Sequence, residues 1–145
     1  MHRAICSRIA KVTMARRILI VEDFEDAREL YAEFLRSRGY EVTGAADGHA
    51  ALRLALPPSY DLIILDLALP RMGGIEVLRT LRTDPGTART PVIMLSASAS
   101  PDAREQTLEA GADLFLEKPC MPDELEAAVR KLLDQNIRTR PARGS

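Results

Sequence analysis

The sequence predicts an α/β protein: a doubly wound, five-stranded parallel sheet with helices on both faces. Three observations predict it. Five short apolar runs alternate with five longer stretches whose apolar residues recur at helical spacing. The clearest runs are continuously apolar rather than alternating, so their strands need cover on both faces, and helices on either side of a parallel sheet supply it. The chain has 145 residues, enough for one ordinary core and too few for a closed eight-unit barrel.

The elements follow in order. Residues 18–21, ILIV, form a short buried strand closed by acids. Ala27, Leu30, Tyr31, Phe34 and Leu35 then mark one stripe of a helix. Glu25, Asp26 and Glu29 suit its N-terminal dipole, and Gly39 ends it. Residues 41–45 are a second, weaker strand. Residues 47–56 are a short helix with Ala50, Ala51 and Leu54 inward, stopped by Pro57 and Pro58. The third strand, LIIL at 62–65, runs into Asp66. After the loop PRMGG at 70–74, Ile75, Leu78 and Leu81 mark the third helix, which ends near Pro85 and Gly86. VIML at 92–95 is the fourth strand, closed by Ser96. Ser100, Pro101 and Asp102 form a capped helix start, and Gly111 ends that helix. LFL at 114–116 is the fifth strand, closed by Lys118 and Pro119. Pro122 opens the last helix, with Leu125, Val129, Leu132 and Leu133 as its stripe. The flavodoxin-like strand order 2-1-3-4-5 is a common arrangement for such a sheet, although composition alone would not choose it.

Charge divides the chain. Residues 18–133 hold 20 acids against 12 basic residues, while the basic excess sits at the two ends. The centre is therefore not a nucleic-acid surface, which needs clustered positive charge. Residues 1–16 read as a basic, disordered arm, 17–134 as the folded domain and 135–145 as a basic tail. No apolar run approaches the length needed to cross a bilayer, and no signal-peptide core precedes the first strand. Cys6 and Cys120 make no disulfide framework, so a reducing cytoplasm is expected. His2 and His49 have no evident partners for a zinc site or a histidine-based dyad.

In a doubly wound sheet, ligands bind beyond the carboxyl ends of the strands. Here those ends carry Glu22 and Asp23, Asp66, Ser96 and Lys118. Singly, each has an ordinary explanation: a turn aspartate, a helix cap, a turn hydroxyl, an exposed ammonium. Together they put three carboxylates, a hydroxyl and an ammonium on one rim. Clustered carboxylates repel, and a hard cation such as Mg²⁺, with Mn²⁺ as a substitute, would neutralise them. Asp66 is placed to act as a nucleophile toward a phosphoryl group, whose oxygens the metal, Lys118 and Ser96 can satisfy. The chain has three lysines against 17 arginines, so a lysine here suggests that a compact ammonium is needed.

Residues 17–133 resemble the receiver domain of bacterial two-component response regulators. The matching pieces are ILIVEDFEDAREL at 18–30, DLIILDLALPRMGGIEVL at 61–78, PVIMLSA at 91–97 and GADLFLEKPCMPDEL at 111–125. The resemblance implies an Mg²⁺ site built from Asp23, Glu22 acting more through water, Asp66 and the backbone carbonyl of Ala68. It implies Asp66 as phosphoacceptor, Ser96 and Lys118 as phosphoryl ligands, and a cis peptide before Pro119. Ala97 matches the small residue that leaves the pocket open. Ser96 and Phe115 match the family's switch pair. A phosphorylation-dependent surface at roughly 101–133 would then bind a downstream protein or a second copy of the chain. The phosphodonor would be a sensor histidine kinase or a histidine phosphotransfer domain.

The resemblance has departures. Gly73 stands where the family often has Asp or Asn, which removes a helix cap. Ala68 and Ser98 are small at positions that influence phosphate loss in the family. The resulting expectation is a stand-alone cytoplasmic phosphoacceptor, not a classical enzyme, with no nucleic-acid or membrane partner. The alternative is a receiver-like interaction module that is never phosphorylated. A nucleotide enzyme is disfavoured, because neither GxxxxGK[ST] nor GxGxxG occurs.

Overall fold

The structure, a computed structural model, describes residues 15–57, 59–98 and 100–139, with side chains as far as Gln135. Most of the proposed basic arm and residues 140–145 of the tail lie outside the described residues. Five strands, β1 (Arg17–Val21), β2 (Glu41–Ala45), β3 (Leu62–Asp66), β4 (Val92–Ser96) and β5 (Leu114–Glu117), form one sheet in the order β2-β1-β3-β4-β5. Every pairing is parallel. The helices between and after them are α1 (Glu25–Ser37), α2 (Gly48–Ala55), α3 (Gly74–Thr83), α4 (Pro101–Glu109) and α5 (Pro122–Thr139).

The strand period of two sorts the core into two layers. Ile18, Ile20, Leu62, Ile64, Ile93 and Leu95 pack with Tyr31, Ala32 and Leu35 of α1 and with Leu125, Val129 and Leu133 of α5. Leu19, Val21, Ile63, Leu65, Val92 and Met94 pack on the opposite face with Ala51 and Ala55 of α2 and Val77, Leu78 and Leu81 of α3. The three central strands thus have helical cover on both sides, as their continuous apolar runs require.

Three details differ from the sequence expectation. Leu30 is exposed, and Ala32 takes its place in the buried face of α1. At about 100° per residue, Leu30 stands on the far side from the arc centred near Tyr31 and Leu35. Likewise Leu54 is exposed, and Ala55 is buried in α2. Finally, α5 runs to Thr139, past the boundary placed at 134. No proline interrupts the chain between Pro122 and Pro141, so nothing in its local chemistry stops the helix at 134.

Candidate phosphoryl-acceptor site

Each site residue sits where a strand stops. Glu22 and Asp23 follow β1, and the Glu22 N–H donates to the Ala45 carbonyl, carrying the β1–β2 ladder one step further. Asp66 is the last residue of β3 and Ser96 the last of β4. Lys118 follows β5, and its N–H donates to the Ser96 carbonyl. The strand order reverses direction between β1 and β3, the switch point at which doubly wound sheets open a crevice. The acidic pair and Asp66 flank it.

Lys118 joins the two sides. Its Nζ donates to Glu22 Oε1 at 2.8 Å and to Asp66 Oδ2 at 3.0 Å. Burial alone would lower the Lys118 pKa, but the hydrogen bonds and Coulombic attraction from Glu22 and Asp66 outweigh it and raise the value above the ordinary lysine range. Asp66 Oδ1 accepts from the Ala68 N–H at 3.1 Å. Glu22 Oε2 accepts from the Phe24 N–H at 3.2 Å. Both Glu22 oxygens are therefore engaged, whereas Asp23 is exposed.

The three carboxylates each offer an oxygen within 4.8 Å of the other two. Three negative charges face one ammonium, which leaves a local excess that a divalent cation would balance. Mg²⁺ binds oxygens at about 2.0–2.1 Å, so opposite ligands stand about 4 Å apart. The acidic cluster fits such an ion, with Asp23 the more accessible oxygen donor and Glu22 the more committed one.

Other expected residues are placed as follows. The Lys118–Pro119 peptide is cis. Ser96 is buried, but its hydroxyl donates to the Ser98 carbonyl at 3.1 Å and accepts from the Ser98 N–H at 3.0 Å. It is tied to its own turn and not to Asp66. Phe115 is buried, and the Arg104 guanidinium lies over its ring, 5.4 Å from the centroid. Ala68 lies on the turn directly beyond Asp66.

A family model for the response regulator receiver domain matches residues 18–130. The chain belongs to this family. Transcriptional regulatory protein HprR of Escherichia coli strain K12 is 42% identical over 120 residues, 83% of this receiver and 52% of that protein. The DNA-binding response regulator MtrA of Mycobacterium tuberculosis strain H37Rv is 40% identical over 124 residues, 86% of this chain and 53% of that one. The receiver thus spans about half the length of these curated relatives. Among solved structures, the receiver domain of Francisella response regulator 1452 has a TM-score of 0.78 and 32% identity, covering 83% of this chain and 98% of that one. The Vibrio cholerae chemotaxis protein CheY4 has a TM-score of 0.77 and 32% identity, covering 81% and 98% respectively. Among the described residues, no helix of this receiver is long and apolar enough to cross a membrane.

Sequence reasoning missed three side chains around the site. Arg28 Nη1 donates to the Glu22 carbonyl at 2.8 Å. Tyr31 donates to the Cys120 carbonyl at 2.8 Å. Arg104 covers Phe115. Only Tyr31 carried a usable signal: a phenol in an aliphatic helix stripe needs a polar partner once buried.

Proposed function

We propose that this receiver accepts a phosphoryl group on Asp66 from a phosphohistidine of a sensor kinase or phosphotransfer domain. One observation carries the reading: Lys118 bridges Glu22 and Asp66 while the Glu22, Asp23 and Asp66 carboxylates crowd together. That arrangement supplies a nucleophile, a fixed positive charge for a phosphoryl oxygen and a place for a divalent cation.

Glu22, Asp23, Asp66 and the Ala68 carbonyl would hold Mg²⁺, which when bound offsets charge on the carboxylates and the phosphoryl oxygens. An Asp66 carboxylate oxygen attacks phosphorus, the bond to the donor imidazole breaks, and the imidazole leaves with the electron pair and takes a proton. The Ala68 N–H steadies the Asp66 carboxylate. Lys118 exchanges part of its contact with Asp66 for a phosphoryl oxygen. Ser96 must leave its Ser98 partners to donate to another oxygen, which links phosphorylation to movement of the loop after β4. Phe115, on β5 opposite Met94 of β4, would pass the change to the surface at 101–133, where a downstream protein or a second copy docks.

Incubation with Mg²⁺ and acetyl phosphate, followed by intact-mass measurement, tests the reading. Wild type gains one phosphoryl group and Asp66→Asn gains none. Equal gain in both proteins, or none in wild type with either acetyl phosphate or a phosphorylated kinase, would remove Asp66 from this role.

A further inference from the structure

Two side chains of α1 reach out of the helix to hold the backbone of the site. Tyr31 is buried, and its Oη donates to the Cys120 carbonyl at 2.8 Å across 89 positions of sequence. Cys120 is also buried and follows Lys118 and Pro119. Three residues earlier on the same helix face, Arg28 Nη1 donates to the Glu22 carbonyl at 2.8 Å. The helix therefore grips the chain on both sides of the ion pair between Lys118 and Glu22.

The Tyr31 hydroxyl is not needed for packing. Its neighbours in that layer include Ala32, Leu35, Leu125 and Val129, and a phenylalanine ring would fill the same space. What the hydroxyl adds is a donor for a buried carbonyl, which would otherwise carry the cost of an unmet hydrogen bond. Lysine is a flexible four-carbon stem with a point charge at its tip. The place of its ammonium is only as well fixed as the backbone that carries it and the partners that receive it.

We propose that Tyr31 is a positioning residue for Lys118. Its phenol fixes the segment 118–120 so that the ammonium stays on Asp66, where an incoming phosphoryl oxygen must be met. The kinetic consequence rests on the phosphoacceptor reading; the geometric claim stands on the two hydrogen-bonded loops alone.

Tyr31→Phe tests it, because the substitution keeps the ring and removes only the donor. The chain has three lysines, so ¹³Cε-lysine NMR yields a simple spectrum in which Lys118→Arg identifies the Lys118 signal. In Tyr31→Phe the Lys118 signal moves and that of Lys131 does not. Phosphoryl uptake from acetyl phosphate with Mg²⁺ falls about fivefold at saturating donor, the size expected from one modest hydrogen bond. In a Lys118→Ala background the same Tyr31→Phe substitution changes the rate by less than about twofold, because the two residues act through one another. An unmoved Lys118 signal overturns the proposal. So does equal slowing in both backgrounds, which would mark a general loosening of the fold. If wild type takes up no phosphoryl group, the phosphoacceptor reading fails, while the Lys118 signal still decides whether Tyr31 positions it.

Discussion

Lys118 concentrates the consequences of the site in one side chain. It is the cation between two buried carboxylates, and its own side chain is about a quarter exposed. Lys118→Met would leave Glu22 and Asp66 buried without that partner. Breaking a fully buried pair costs about 3–5 kcal/mol, and partial exposure of the lysine reduces this to about 1–3 kcal/mol. Urea unfolding without divalent ions measures the loss, and saturating MgCl₂ should recover part of it by offering the carboxylates another cation. Gly74 makes a second prediction. A Cβ there would stand 2.5 Å from the Asp66 carbonyl oxygen and 2.8 Å from the Leu67 Cα. Because both are backbone atoms, Gly74→Ala must displace the end of β3 that carries Asp66, lowering the unfolding midpoint and slowing phosphoryl uptake together. The charged rim was legible in the sequence because strand ends converge in a parallel sheet whatever the loops do. The Tyr31–Cys120 bond was not, since it depends on the phase of α1 and on a loop 89 positions away.

The helices separate what punctuation reveals from what only packing decides. Gly39 and Gly111 have φ of 98° and 113°, the left-handed conformation that favours glycine after a helix, and both stops were readable. The buried faces were less so. Leu30 and Leu54 are apolar residues that the sequence alone assigns to the buried stripe, and only the position of the sheet decides that alanines one or two residues on are buried instead. The start of α3 supports an independent prediction. Gly73 is its N-cap, in extended conformation with no side-chain hydrogen bond, and a Cβ there would meet nothing within 4 Å. Gly73→Asn adds a capping acceptor and restricts the unfolded chain, which should stabilise the protein by about 0.5–1 kcal/mol. A higher urea midpoint at unchanged slope is the expected result. By contrast, α4 already has its cap, Ser100 accepting from the Ala103 N–H at 3.1 Å. Ser100→Ala should cost about 1 kcal/mol, or less if α4 opens before the rest of the molecule. Thr107 is its one buried residue, so little apolar packing holds the helix. Hydrogen exchange in α4 compared with α3 would resolve the two cases.

At the scale of the whole molecule, the apolar runs implied the layers, whereas the strand order 2-1-3-4-5, expected and observed, rested on likeness to other doubly wound sheets and not on composition. Continuous apolar strands require helices on both faces, whereas β2-β1-β3-β4-β5 and its alternatives would bury the same runs. Once that order is set, β1, β3 and β4 become the three interior strands, and four buried or half-buried ionisable groups of the fold share one property. The Tyr31 hydroxyl is raised, first by burial and then by Cys120, Glu22 and Asp66, which together outweigh the lowering effect of the Lys118 ammonium. Burial also leads in raising Tyr40 and Cys120. Lys118 is raised because its carboxylate partners outweigh its burial. In each case the folded protein keeps a proton that the unfolded chain releases at lower pH. The folded state therefore binds more protons in the interval, and stability falls as pH rises. The contribution is complete below the ordinary values, 9.0 for the thiol, 10.0 for the phenols and 10.5 for the ammonium, and is lost as pH climbs through the raised folded values. Urea midpoints should hold steady through neutral pH and decline from about pH 9 upward, in step with these groups. Tyr31→Phe removes one of the four and should flatten the limb above pH 10. A limb of unchanged steepness in that variant would mean that the phenol releases its proton as readily in the folded protein as in the unfolded chain.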